Sequence, residues 1–160
     1  MGVRQAIAGD EAELREVRLR ALADAPEAFG STSERELARS TADWQRWLAP
    51  GATFLFDAES DGAGAVGLVA VVVLADEPAV RQLMAVWVDP AARGTGAADA
   101  LVQSALTWAR ADGAARARVE VYESNGTARR LYERHGFRPT GRVSPADEGG
   151  RIGVELERPL

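Results

Sequence analysis

The alternation of apolar and polar residues along the chain predicts a series of strands and helices. Apolar residues three or four positions apart, such as Leu14, Val17 and Ala21, indicate a helix with one buried face. Unbroken apolar runs, such as residues 65–74, indicate a strand that is covered on both faces. The pattern predicts seven strands, at residues 3–7, 53–58, 65–74, 80–88, 116–122, 137–142 and 152–158.

Three helices are predicted between the first two strands. The first begins at Asp10, which has Glu13 at the spacing of a capping box. A loop and two shorter helices follow, and the second of these is capped by residues 41–43 and carries Trp44 and Trp47. These tryptophans either pack in a core or line a pocket for a variable substrate, and the pattern leaves both readings open.

The second half of the chain predicts two further helices. One covers residues 98–111, and the other begins near Asn125, runs to Arg134 or His135 and stops at Gly136 in the usual C′ position. Residues 59–64 form a polar turn between two strands. Strands and helices mixed in this way predict an α/β fold.

The glycine-rich loop at residues 93–98 is the first candidate for chemistry. A helix start leaves several backbone N–H groups unpaired, and Gly94 and Gly96 allow the backbone to approach a bulky anion. No Lys-Ser/Thr pair follows the loop, which excludes a nucleotide-triphosphate loop. Asp99 stands where a dinucleotide fingerprint needs its third small residue. The loop therefore predicts an anion site of another kind, unless it is a plain strand-to-helix connection.

A stripe of mixed polarity on the last helix is the second candidate. Asn125, Ala128, Tyr132 and His135 share one helical face and combine an amide, a methyl group and a phenol. Such a face suits a ligand whose ends differ in polarity. Each residue also has a structural reading, since Asn125 is a good N-cap, Tyr132 can be a buried aromatic and His135 suits a helix C-terminus.

Together, the two segments resemble the signatures of the Gcn5-related N-acetyltransferases, the GNAT family. The first matches Arg/Gln-x-x-Gly-x-Gly/Ala through Arg93, Gly96 and Ala98, and the second matches through Asn125, Ala128, Leu131-Tyr132-Glu133 and Gly136-Phe137. The resemblance implies the GNAT acyl-CoA N-acyltransferase fold, with a mixed, mostly antiparallel sheet of six or seven strands and helices on both faces. It also implies that the central strands, 80–88 and 116–122, splay to admit the cosubstrate acetyl-CoA.

The resemblance further assigns roles to individual residues. Backbone groups of Val86, Trp87 and Val88 would pair with the pantetheine arm. Amides of the loop opened by Arg93 would hold the pyrophosphate, and they belong to Gly94, Thr95, Gly96, Ala97, Ala98 and Asp99. Asn125 would bond the pantetheine region, Ala128 would leave room for acetyl-CoA, and Tyr132 would protonate the departing thiolate. Arg129 and Arg130 either reach the ribose 3′-phosphate or are solvated.

The general base of the family does not carry over to this chain. In Gcn5-like histone acetyltransferases the base is a glutamate eleven residues before the loop, and Gln82 stands there. Glu120 and Glu123 are the candidates on the neighbouring strand, but alternation places them on opposite faces, and we favour Glu120. Glu34 and Glu155 are candidates for binding a cationic acceptor.

Composition narrows the classes of function that remain possible. The 160 residues include no cysteine and only one histidine, which leaves no thiolate chemistry and makes a metal site implausible. The net charge of −5 argues against a broad nucleic-acid surface. We find neither a secretion signal nor an apolar run long enough to span a bilayer, so we expect a cytoplasmic protein without membrane association, built as one domain over residues 1–160.

The predicted function is acetyl-CoA-dependent transfer of an acetyl group to a primary amine of a small molecule or a protein N-terminus, without a metal. The alternative is a non-catalytic acyl-CoA sensor or interaction domain with the same fold. Because many GNAT relatives dimerise, a homodimer is a further expectation. The sequence identifies neither the acceptor nor the preferred acyl chain.

Overall fold

Seven strands form one twisted sheet in the computed structural model, which describes residues 2–59, 62 and 64–160. The spatial order is β1-β2-β3-β4-β5-β7-β6, and every neighbouring pair is antiparallel except β4 and β5. The strands are β1 (Gly2–Gln5), β2 (Ala52–Asp57), β3 (Ala65–Val73), β4 (Val80–Val88), β5 (Arg116–Tyr122), β6 (Arg138–Ser144) and β7 (Gly153–Pro159). The predicted mixed, mostly antiparallel sheet is confirmed.

Helices cover both faces of this sheet and form two hydrophobic cores. One core holds apolar residues of the first and third helices, and the other holds those of the two later helices. The helices are α1 (Glu11–Asp24), α2 (Ser33–Leu37), α3 (Thr41–Leu48), α4 (Ala97–Ala111) and α5 (Gly126–Arg134), with short 3₁₀ turns at Pro26–Ala28 and Pro90–Ala92.

Strand β3 is apolar almost throughout because both of its faces are buried. Leu68 and Ala70 face the core beneath α1, whereas Val69 and Val71 face the core beneath α4. A strand buried on both sides has no solvent-facing positions, so the alternation of polar residues disappears. The prediction of a doubly covered strand is confirmed.

Strands β4 and β5 pair over only four positions and then separate. Their parallel register joins residues 80–83 to residues 116–119. Just beyond this point β4 carries a bulge, because Ala85 and Val86 together face the single residue Val69 of β3. Ala85 has a φ of 58°, which is rare for a residue with a side chain. The predicted splay of the two central strands is confirmed.

Two predicted caps are wrong in detail. The Asp10 side chain makes no capping bond to α1, because it accepts hydrogen bonds from the Ile7 amide at 2.8 Å and from Arg4 at 2.9 Å. Helix α3 has Ser40 as its N-cap, in a reciprocal capping box with Asp43. In α1 other donors occupy the predicted capping carboxylate, and in α3 the preceding residue provides the cap.

The predicted turn at residues 59–64 lies partly outside the described residues. Within the residues that are described, no helix combines the length and the apolar character that crossing a bilayer requires.

Candidate active site

Two adjoining cavities occupy the cleft that opens where β4 and β5 separate. The outer cavity, of about 720 Å³, lies between the end of β4, the loop at residues 93–99 and the start of α5. The inner cavity, of about 300 Å³, lies between β4 and β5 themselves. Residues that line both cavities, and so mark their junction, are Ala28, Phe29, Val86, Asn125 and Ala128.

The loop on the outer cavity presents a row of unpaired amides. In the described part of the chain, the backbone N–H groups of residues 94–99 have no hydrogen-bond acceptor. Gly94 and Gly96 have φ angles of 77° and 87°, and a Cβ added at either would meet no protein atom within 4 Å. Because the loop leads into α4, the helix dipole adds positive potential at these amides. The arrangement is that of an anion site.

The Arg93 side chain fastens this loop to the end of β4. Its Nε donates to the Val88 carbonyl at 3.0 Å, and its Nη2 pairs with the Asp24 carboxylate. Asp24 also accepts a hydrogen bond from the Trp87 indole at 2.9 Å. The Trp87 bond, with help from Arg93, holds the pKa of Asp24 below its usual range. Residues 87 and 93 are therefore tied to the end of α1.

Most of the predicted outer-cavity residues line this space. Those that do are Val86, Trp87, Val88, Arg93, Gly94, Gly96, Ala97, Ala98, Asp99, Asn125 and Ala128. Thr95 does not, since its hydroxyl turns back to donate to the Ala92 carbonyl at 2.7 Å. Arg129 and Arg130 also line neither cavity and pair with Glu133 and Thr127 on their own helix.

Asp99 lies in the first turn of α4, at the rim of the outer cavity, and joins that helix to the end of α5. Its carboxylate bonds Arg134 at 3.1 Å and the His135 Nε2 at 2.9 Å, and these partners lower the pKa of Asp99 against the opposing effect of burial. His135 lines neither cavity, in line with its reading as a residue of the helix C-terminus. Arg134 lines the outer cavity, a role that the sequence analysis did not assign.

The stripe on α5 lies along the junction of the cavities. Asn125 lines the cleft and is the N-cap of α5, since its side chain accepts a hydrogen bond from the Ala128 amide at 3.1 Å. Tyr132 lines the inner cavity, is only 5% exposed and packs edge-on against Phe137. Burial raises the pKa of Tyr132 well above that of a free tyrosine. Within the described residues its hydroxyl has no hydrogen-bond partner.

The favoured base candidate and the residue at the family's base position both lie at the inner cavity. Glu120 and Gln82 line it, and the Glu120 carboxylate accepts a hydrogen bond from the Ser144 hydroxyl. Glu123 lines neither cavity, so the structure separates the two glutamates as alternation predicted. Glu34 and Glu155 also lie outside both cavities, and Glu155 is 3.4 Å from Arg118.

The tryptophans of α3 belong to the core. Trp44 is buried and stacks on Trp47 at 5.5 Å between ring centroids, and neither residue lines a cavity. The pocket reading of this pair is not supported. The loop before α2 contributes instead, through Ala28 and Phe29.

Arg18 is a charged residue of the inner cavity that the sequence analysis missed. It lies on α1 between Leu14 and Leu22, at the spacing of the buried face, and is itself 4% exposed. A charged residue at an apolar stripe position was the available signal. Burial lowers the pKa of Arg18, and the adjacent Glu36 carboxylate opposes that shift.

Tyr122, Asp147 and Arg151 form a second polar group at one side of the inner cavity. Tyr122, which lines it, donates to Asp147 at 3.2 Å, and the Arg151 guanidinium lies 4.4 Å from the Tyr122 ring. Arg151 also donates to the Glu27 carbonyl at 2.7 Å. The loop between β6 and β7 is thereby connected to the loop after α1. Over the described ranges, no three His, Asp or Glu side chains are grouped as metal ligands would be.

Comparison with known proteins gives a consistent result. Residues 16–137 match the model of the Acetyltransferase (GNAT) family. The chain is 33% identical over 120 residues to mycothiol acetyltransferase of Beutenbergia cavernae, covering 75% of this chain and 38% of that protein. It thus spans about two fifths of the length of this relative.

Solved structures share the fold at low identity. The acetyltransferase of the GNAT family from Streptococcus pneumoniae superposes with a TM-score of 0.81 at 17% identity, covering 99% of this chain and 98% of that one. The yncA protein of Salmonella typhimurium, solved with its cofactor acetyl-CoA, superposes with a TM-score of 0.79 at 18% identity, covering 100% and 94%.

Proposed function

This chain belongs to the GNAT family of acetyltransferases, and from that premise we propose that it transfers an acetyl group from acetyl-CoA directly to a primary amine. The acceptor is a small molecule or a protein N-terminus. The family match and the curated acetyltransferase relative support an enzyme over a non-catalytic sensor.

The row of unpaired amides at residues 94–99 carries the proposal. Residues 94–96 are exposed, Ala97 is buried and residues 98 and 99 are half-buried. Six successive N–H groups without a protein acceptor, at a helix start beside a cavity of about 720 Å³, suit an anionic ligand. The two glycines keep the open side of the loop clear of side chains. These features fit a pyrophosphate, so residues 94–99 would hold that part of acetyl-CoA.

The end of β4 would hold the pantetheine arm. Beyond Leu83 this strand has no ladder partner on its β5 side, so the backbone of Val86 and the amide of Val88 are open to the cleft. The Val88 carbonyl already accepts a hydrogen bond from Arg93. Asn125 and Ala128 face the same channel from α5. The thioester would then lie at the junction of the two cavities.

The inner cavity supplies groups for the proton transfers. Glu120 would accept a proton from the ammonium form of the acceptor, because only the neutral amine can attack. As the new C–N bond forms and the C–S bond breaks, Tyr132 would donate its proton to the leaving sulfur and regain one from the nitrogen. Burial raises the pKa of Tyr132, so the phenol is protonated at neutral pH and available as the proton donor. Gln82 would contact the acceptor in the inner cavity, but its amide cannot act as a base.

Binding and turnover test this proposal separately. Calorimetry with acetyl-CoA measures binding, and release of free thiol in the presence of a broad panel of amines measures transfer. We expect binding and amine-dependent thiol release. Absence of acetyl-CoA binding would refute the whole proposal, whereas binding without thiol release for any amine would favour the sensor.

A pair of matched glycine variants tests the loop. Gly96→Val should reduce acetyl-CoA affinity by at least about 10-fold, because the side chain would enter the space required by the anion. Gly113→Val is the control, since Gly113 has a similar φ of 82°, equally open surroundings and no place at the cleft. Equal affinities in the two folded variants would contradict the assignment of the loop.

A cytoplasmic location stays a prediction from the sequence.

A further inference from the structure

Arg18 places a nearly enclosed cation in the wall of the inner cavity. Its side chain is 4% exposed and lies beside Phe29, with the guanidinium carbon 4.8 Å from the ring centroid. On the other side the Trp47 ring is 5.5 Å away. Aromatic faces stabilise a guanidinium but accept no conventional hydrogen bonds from its edge.

The hydrogen-bonding capacity of this guanidinium is unused. Nε and Nη1 are fully enclosed and, within the residues described, have no hydrogen-bond partner. The nearest carboxylate oxygen, Oε1 of Glu36, is 3.5 Å from Nε, and it too is without a partner. Nη2 is the nitrogen that is not enclosed. Because Arg18 lines the inner cavity, this third nitrogen is its point of contact with a ligand there.

The surrounding charges do not cancel. Glu36, which is 0% exposed, is shared between Arg18 and Arg39. One carboxylate therefore faces two guanidinium groups, and the cluster favours a further anion. Among the described residues that line the inner cavity, Glu120 is the one acid and Arg18 the one cation. The cavity thus presents one group of each sign.

We propose that the acyl acceptor is an amino acid or a similarly small amine that carries a carboxylate, and that Arg18 binds this carboxylate while the amine lies toward Glu120. The inference rests on the proposed acetyl transfer and names the substrate class for it. A cavity of about 300 Å³ is at the lower end of small-molecule sites, which suits a free amino acid. A guanidinium is the side chain best matched to a carboxylate.

Substrate pairs test the proposal without altering the protein. Thiol release is measured with each of the twenty common amino acids and with its carboxamide, which keeps the amine and removes the negative charge. We expect at least one amino acid to exceed its carboxamide by about 10- to 100-fold in kcat/KM, the range for a charge-assisted hydrogen bond. Carboxamides that match or exceed the acids throughout would overturn the proposal. Aminophosphonates preferred over the acids would overturn the choice of a carboxylate.

Variants of Arg18 test whether this side chain causes the preference for an acid over its carboxamide. Arg18→Gln should reduce kcat/KM for the preferred acid by about 10- to 100-fold, mainly through KM, and leave its carboxamide within about threefold. Arg18→Lys should restore part of the preference. Arg15→Gln, an exposed change on the same helix, is the control and should behave as the wild type. An equal loss for acid and carboxamide in a folded Arg18→Gln protein would overturn the proposal.

Two further measurements separate this inference from the proposed function. If acetyl-CoA binds but no amine releases thiol, acetyl transfer fails, and calorimetry of the amino acids with the CoA-bound protein decides the role of Arg18. Binding that Arg18→Gln abolishes supports an Arg18 carboxylate site, and absence of binding to the wild type overturns it. If Arg18→Gln does not fold, the wild-type comparison of acids with carboxamides decides alone.

Discussion

Burial determines what the Tyr132 hydroxyl can do. The phenol is enclosed between α5 and Phe137 and makes no hydrogen bond within the described residues, so its ionised form is strongly disfavoured. A raised pKa means that Tyr132 holds its proton throughout the neutral range. Before the reaction, a group of this kind is a proton donor and not a base.

Removing that hydroxyl should slow transfer without weakening binding. Tyr132→Phe is expected to lower kcat by about 10²-fold or more, the usual contribution of a positioned acid, while the dissociation constant for acetyl-CoA stays within about twofold. Tyr122→Phe is the comparison, because the Tyr122 hydroxyl is already bonded to Asp147, and its loss should be smaller. Calorimetry and thiol-release kinetics measure both. A Tyr132→Phe enzyme with wild-type kcat would remove this residue as the acid.

Glu120 is distinguished from Glu123 by position alone. Glu120→Gln should lower kcat/KM by about 10²-fold, because the amide cannot take a proton from the acceptor. Glu123→Gln should leave the rate within about twofold, since that side chain lines neither cavity. The pH dependence of kcat/KM, measured on both variants, is the readout. Similar losses in the two variants would contradict the assignment.

The sequence predicted some of these residues and missed others for a physical reason. Gly94, Gly96 and Asn125 were predictable because their types serve backbone geometry and capping at a fixed spacing. Arg18 was missed because a charged side chain is normally assigned to solvent, and only its partners on α2 and the facing cavity reveal why it is buried.

At the scale of elements, the end of α1 controls the outer cavity. Asp24, the last residue of α1, holds both Trp87 of β4 and Arg93 of the loop. These are long-range bonds, so no local pattern indicated them. The β4 bulge was equally hidden, because Ala85 takes a positive φ that sequence rules associate with glycine. By contrast, strand periodicity located all seven strands to within a few residues.

The Asp24 contacts predict a dependence of stability on pH. The folded-state pKa of Asp24 is lowered, so its contribution is present above the unfolded value of about 4 and is lost as the pH falls through the folded value. Asp24→Asn should lower Tm by about 2–5 °C at pH 7, with a difference that shrinks toward pH 3.

Thermal unfolding from pH 3 to pH 7 measures this difference. The control is Asp76→Asn, a change at an exposed residue that lines neither cavity, which should follow the wild type at every pH. A Tm difference for Asp24→Asn that is constant or grows toward acid would contradict the stated linkage.

At the scale of the whole molecule, the cleft is a seam between two antiparallel halves of one sheet. Strands β1–β4 and β5–β7 meet through four parallel register positions, and beyond them α4, α5 and the loops line the space between the two sides. A ligand that contacts both β4 and α5 would therefore tie the halves together and stabilise the folded state. The sheet type and the splay of its central strands followed from the family resemblance, whereas the strand order and the shape of the two cavities required coordinates.

Residue-resolved amide hydrogen exchange, with and without saturating acetyl-CoA, tests the central claim most directly. Binding of the pyrophosphate by the loop predicts marked slowing at the amides of residues 94–99 on addition of acetyl-CoA, with little change at the distant turn around Gly113. Acetyl-CoA that binds by calorimetry while the amides of residues 94–99 exchange at unchanged rates would contradict it.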